Sequence, residues 1–87
     1  MNKPIIEAIA QGYPMHWQVD SNSHFCRLKL VATTYTYENG RVRTRTLWRT
    51  YDIRHAHYMH GEILAHGGKL SGPTPRQIYE RWEENQP

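Results

Sequence analysis

Three arginines, Arg41, Arg43 and Arg45, stand at alternate positions of a segment that is otherwise rich in threonine. Alternate side chains of a β-strand project from one face about 7 Å apart, and neighbouring phosphates of a nucleic-acid strand have a similar separation. Guanidinium groups bind phosphates and carboxylates through paired hydrogen bonds. The spacing therefore predicts a binding site for an anionic partner, which is DNA, RNA or an acidic protein surface.

Further cations and aromatic rings surround this row. Six cations and one anion lie between residues 27 and 51, although the whole chain carries 11 Lys and Arg against 8 Asp and Glu. Tyrosine rings offer flat surfaces on which bases or guanidinium groups stack. The predicted nucleic-acid- or partner-binding residues are Arg27, Lys29, Tyr35, Tyr37, Arg41, Arg43, Arg45, Arg49 and Tyr51.

Three interpretations of this basic surface stay open. The first is a small non-enzymatic binding protein that takes nucleic acid on the surface, with little base preference because phosphate contacts carry no sequence information. The second is a phage- or mobile-element-type protein inhibitor or adaptor that docks the surface on an acidic protein. In the third the surface is only solvated, since charges on exposed strands also discourage aggregation.

Histidines form a second group of residues that could do chemistry. Four of them fall between residues 55 and 66, and histidine is a common zinc ligand. His57 and His60 have the spacing that brings two side chains together on one helix face, whereas His55 and His57 point apart. We expect His60 to pack against the core and the others to be exposed, and we expect no cofactor. The candidates for a metal site are His55, His57 and His60.

The segment His55-Ala56-His57 resembles the His-hydrophobic-His motif of rolling-circle replication nucleases and relaxases. The resemblance implies a divalent metal held by the two histidines and a tyrosine that attacks the DNA backbone, a role for which Tyr79 is the candidate. The motif spans three residues and falls on a predicted helix rather than on a central strand. We keep this nuclease as a distant alternative and expect that the protein is not an enzyme.

The loop of a predicted β-hairpin decides which side chains share a face. Two segments rich in Thr, Tyr, Val and Leu flank Glu38-Asn39-Gly40, a pattern typical of a hairpin. A two-residue loop would place the arginine row beside Leu28 and Leu30 and mix charge with core. A three-residue loop with a left-handed glycine pairs Tyr37 with Arg41 instead. It gathers the predicted binding residues on one face, so we favour it.

Capping and periodicity predict the other elements and the fold class. Asn2, Asp52 and Thr74 are typical N-caps, and Met15 to Asp20 alternates as a strand does. The chain is expected to be a single domain over residues 1–87 with the order α-β-β-β-α-α. The predicted fold is α+β: a three-stranded antiparallel sheet with a long central β-hairpin and helices packed on one face. A turn is expected at 21–23 and a loop at 70–73.

Composition indicates where the protein works. Cys26 is the only cysteine, so no intramolecular disulfide can form. The chain shows neither the apolar region of a signal peptide nor an apolar run of about 18 residues that could span a membrane. We therefore expect a cytoplasmic protein.

Overall fold

The computed structural model describes residues 1–20 and 25–86. The predicted turn at 21–23 and His24 lie outside these ranges. The described residues confirm the α+β class. Their elements, in chain order, are α1 (Lys3–Gln11), β1 (Pro14–Val19), β2 (Leu28–Thr36), β3 (Val42–Thr50), α2 (Ile53–Ala65), β4 (Lys69–Ser71) and α3 (Pro75–Glu84). None of the described helices is both long and apolar enough to cross a membrane.

The predicted three-stranded antiparallel sheet is wrong in its details. The described strands form one four-stranded sheet in the order β3-β2-β1-β4. The pairings of β1 with β2 and of β2 with β3 are antiparallel as expected, but β4 runs parallel to β1 and makes the sheet mixed. The predicted loop at 70–73 overlaps β4. Three residues give too little alternation to indicate a strand, and the flanking Gly67-Gly68 and Gly72-Pro73 are typical of loops.

The helix ends follow the predicted caps. Asn2 accepts a hydrogen bond from the backbone N–H of Ile5 at 3.0 Å, and Asp52 caps α2 through the N–H of Arg54 at 2.9 Å. Thr74 and Gln77 form a reciprocal capping box at the start of α3. These side chains satisfy backbone donors that the first helical turn leaves unpaired.

All three described helices pack on the same face of the sheet. Burial of apolar side chains holds the two layers together, since each fully buried aliphatic or aromatic side chain contributes about 1.5–3 kcal/mol. The sheet contributes Met15, Trp17, Leu28, Leu30, Ala32 and Leu47 to one buried cluster, and the helices contribute Ile5, Ala8, Ala56, Ile63 and Ile78. We call the opposite sheet face, which carries Lys29 and Arg49, the open face.

The hairpin has the predicted three-residue loop. The N–H of Tyr37 donates to the carbonyl of Arg41 at 2.8 Å, and the N–H of Gly40 donates to the carbonyl of Tyr37 at 3.0 Å. Gly40 has a φ of 87°, a left-handed conformation that favours glycine. The predicted pairing of Tyr37 with Arg41 is therefore confirmed at the loop.

Candidate functional site

A β-bulge in β3 reverses the predicted facing of the arginine row. Leu30 pairs with Trp48, but the next residue of β2 pairs with Thr46, so Leu47 is an extra residue on β3. Leu47 is 8% exposed and belongs to the core cluster, against which Trp48 also packs. The adjacent side chains of Leu47 and Trp48 thus both face the helices. As a result, each residue of β3 before Leu47 points to the sheet face opposite to the one that uninterrupted alternation would give it.

Arg43 and Arg45 consequently project on the helix side of the sheet. Arg45 pairs directly with Ala32, which is fully buried under the helices. Directly opposed residues of antiparallel strands point to the same face, and Arg43 lies two positions earlier on the same strand. The prediction that all the basic side chains share one face with Lys29 is therefore wrong, because it assumed an uninterrupted strand.

A second bulge turns the tyrosines the same way. Thr33 pairs with Thr44 and Tyr35 pairs with Arg43, so Thr34 is the extra residue on β2. Tyr35 thereby joins Arg43 on the helix side, and Tyr37 follows by alternation. The prediction that these tyrosines accompany the arginines is correct, although both groups lie on the face opposite to the expected one.

These side chains border a cleft of about 470 Å³ between the outer half of the hairpin and Tyr13, which follows α1 in the chain. Tyr35 and Tyr37 are 59% and 44% exposed. Their ring centroids are 4.9 Å apart at an interplanar angle of 69°, an edge contact that leaves ring surface accessible. We call this surface the hairpin cleft, and it is lined by Tyr13, Thr34, Tyr35, Tyr37, Arg43 and Arg45.

The arginines of this surface have no acidic partner in the described part of the chain. Within residues 1–20 and 25–86, no carboxylate oxygen lies within 4.0 Å of a guanidinium nitrogen of Arg41, Arg43 or Arg45. Glu7 of α1 lines an adjoining pocket together with Arg45 but forms no ion pair with it. The uncompensated charges raise the local positive potential, which a concave surface focuses.

The remaining predicted binding residues belong to a different environment. Lys29 and Arg49 lie opposite each other on neighbouring strands and belong to the open face. Arg27 and Arg49 both donate to Oδ2 of Asp20, at 2.8 and 2.9 Å. The hydrogen bond from Arg49 and the charge of Arg27 hold the pKa of Asp20 below its ordinary value. Arg27 also lies 5.5 Å from the ring centroid of Tyr51. These guanidinium groups are engaged within the protein.

The sequence interpretation did not include Tyr13 and Thr34 in the site. Tyr13 follows the glycine that ends α1, and nothing in its surroundings in the sequence indicates that α1 brings it beside the hairpin. Thr34 looks like an ordinary strand residue that alternates with Leu30 and Ala32 on the helix side, and the bulge brings Tyr35 onto that side next to it. Both are brought into the cleft by tertiary packing.

The histidines are not gathered into a metal site in the described structure. No group of three or more His, Cys, Asp or Glu side chains within residues 1–20 and 25–86 is placed to hold a metal ion. His60 accepts a hydrogen bond from the indole of Trp17 at 3.0 Å, which confirms the predicted packing against the core. His55 and His57 are exposed on α2. A hydrogen bond with Glu83 raises the pKa of Tyr79, so its hydroxyl is held protonated.

Comparisons of the chain with family models, with curated proteins and with solved structures find no match.

Proposed function

We propose that the protein is a small non-enzymatic nucleic-acid-binding protein and that the hairpin cleft is its binding site. The observation that carries the proposal is the coincidence, on one surface, of accessible tyrosine rings with guanidinium groups that form no ion pair within residues 1–20 and 25–86. Arginine supplies charge-assisted hydrogen bonds to phosphates, and tyrosine supplies a stacking surface for bases.

The cationic charges of this cleft are less compensated than those of the open face. Arg43 and Arg45 lie two residues apart on the same face, where like charges repel, and within the described chain neither has an ion pair that offsets this repulsion. The open face shows the contrast, because there Asp20 neutralises part of the charge of Arg27 and Arg49. We therefore limit the proposed site to the cleft and to Arg41, which extends its arginine row.

The proposal is tested by fluorescence anisotropy with labelled mixed-sequence DNA and RNA across a salt series. Counterion release predicts that the logarithm of the association constant falls linearly with the logarithm of the salt concentration. The Arg43→Gln/Arg45→Gln variant should bind more weakly. Its salt slope should be smaller by about 0.7–0.9 for each phosphate that the variant no longer neutralises.

The matched control removes the same charge elsewhere. Arg76 and Arg81 are exposed on α3 and line no part of the cleft, so Arg76→Gln/Arg81→Gln should keep most of the affinity and the wild-type slope. Glu7→Gln should strengthen binding modestly, because it removes a negative charge beside Arg45. Equal reductions in affinity for the two double variants would show that binding follows net charge rather than the cleft.

A second candidate function is an inhibitor or adaptor that docks the same arginines on an acidic protein surface. It is favoured by the position of β3 at the edge of the sheet, where unpaired backbone groups lie beside the arginine row and could pair with an added strand. A folded protein that binds neither DNA nor RNA at low salt would support this candidate over the first. The cytoplasmic location stays a prediction.

A further inference from the structure

We infer that the hairpin cleft selects single-stranded over double-stranded polynucleotide, an inference that rests on the proposed function. Tyr35 and Tyr37 lie on the same face of the hairpin and present accessible rings to the cleft. A ring can stack only on a base whose face is uncovered, and in a duplex each base is covered by its neighbours. The tyrosines are therefore useful to a strand whose bases are unstacked.

In the hairpin, arginines on one strand lie opposite tyrosines on the other. Tyr35 pairs with Arg43, and Tyr37 pairs with Arg41. Arg43 belongs to β3 at the edge of the sheet and Tyr35 to the inner strand β2, and Arg41 and Tyr37 lie next to the loop-side ends of these strands. Each arginine and its opposite tyrosine thus offer one phosphate contact and one stacking surface. The arrangement fits a single strand whose phosphates run along the outer edge while its bases point inward over β2.

The shape of the surface also favours one strand. An adjoining pocket of about 290 Å³ shares Tyr13, Thr34 and Arg45 with the cleft and is bordered on its far side by Glu7 and Gln11 of α1. The two cavities therefore adjoin each other on the helix side of the sheet. A two-stranded ribbon can read a duplex by entering the major groove, but α1 stands on this face and obstructs such an approach. A single strand needs no such approach, because its bases are already exposed.

The experiment compares a mixed-sequence 12-mer as single-stranded DNA, as single-stranded RNA and as duplex DNA, by fluorescence anisotropy at one low salt concentration. We expect each single strand to bind at least about tenfold more tightly than the duplex. Tyr35→Leu/Tyr37→Leu should weaken single-strand binding by at least about tenfold and change duplex binding little. Both side chains are exposed, so the variant should fold, and thermal unfolding in the same buffer checks this.

The matched control is Tyr51→Leu/Tyr58→Leu, which removes two exposed tyrosines outside the cleft and should keep wild-type binding. Duplex binding as tight as single-strand binding, or equal effects of the two tyrosine variants, would overturn the inference and leave the proposed function standing. Absence of binding to all three oligonucleotides would overturn both.

Discussion

The Trp17–His60 hydrogen bond couples the protonation of one imidazole to the packing of the core. The indole N–H donates to Nδ1 of His60, so that nitrogen must be unprotonated. Burial, together with the nearby His57, lowers the pKa of His60 below its ordinary value of 6.5. A protonated imidazole has no acceptor nitrogen. Charging His60 therefore breaks the bond and leaves the N–H of Trp17, whose side chain is 2% exposed, without its acceptor.

We expect the free energy of unfolding to decrease as the pH falls below about 6.5. Unfolded His60 takes up its proton near pH 6.5, whereas folded His60 does so only at lower pH. The stabilisation is thus complete above the unfolded pKa and is lost as the pH falls toward the folded pKa. This dependence is measured by urea unfolding at several pH values between about 8 and 5, with tryptophan fluorescence as the signal.

Two variants separate His60 from the other histidines. His60→Asn retains an acceptor oxygen near the position of Nδ1 but does not titrate, so the stability loss in this pH range should shrink. His57→Asn alters an exposed histidine and should retain most of the loss. A wild-type pH dependence in His60→Asn would exclude the Trp17 hydrogen bond as its cause.

The sequence predicts some of these residue contacts and not others. Helical spacing predicts that His60 faces the core, because it shares a face with the apolar residues of α2. It does not identify Trp17 as the partner, since 43 residues separate the two in the chain. The ion pairs of Asp20 with Arg27 and Arg49 were not predicted either, because alternation gives the face on which a side chain lies and not the residue that it contacts. Which arginines stay free for a ligand depends on contacts of this kind.

At the scale of elements, Gly68 allows β4 to close against α2. A Cβ at this position would overlap the side chain of Ile63 and lie 2.9 Å from the carbonyl oxygen of Ile63. Gly68→Ala should therefore reduce the free energy of unfolding by about 1–3 kcal/mol, the usual cost of overpacking. Urea unfolding at neutral pH provides the measurement.

Gly61, in the middle of α2, is the matched control. A Cβ added there meets nothing within 4 Å, and alanine is favoured over glycine inside a helix. Gly61→Ala should thus stabilise the protein by about 0.5–1 kcal/mol. A Gly68→Ala variant as stable as the wild type would contradict the close packing of β4 on α2.

The caps, the hairpin loop and most of the helix boundaries could be predicted because local side-chain chemistry determines them. The bulges could not be predicted from alternation, because this argument assumes that side chains alternate between the two faces without interruption along the whole strand. A local signal does exist for one of them. Leu47 and Trp48 are adjacent and apolar in a strand that otherwise alternates, and both can reach the same core only if the strand bulges.

At the scale of the whole molecule, the sheet separates the cations into two groups of different character. On the open face, Asp20 engages Arg27 and Arg49. On the helix side, Arg43 and Arg45 line a cleft with the tyrosines. The net charge of +3 does not reveal this division. The nine-residue binding face predicted from the sequence thus becomes a smaller site that needs both the bulged hairpin and α1.

The most direct test of this division is a ¹⁵N–¹H correlation spectrum of the protein titrated with a mixed-sequence single-stranded oligonucleotide. We predict that the largest amide shifts fall at Tyr13, at 34–37 and at 41–45, while Lys29 and Arg49 on the open face change little. Shifts centred on Lys29, Arg49 and Tyr51, with the hairpin cleft unaffected, would contradict the assignment of the binding site to the helix side of the sheet.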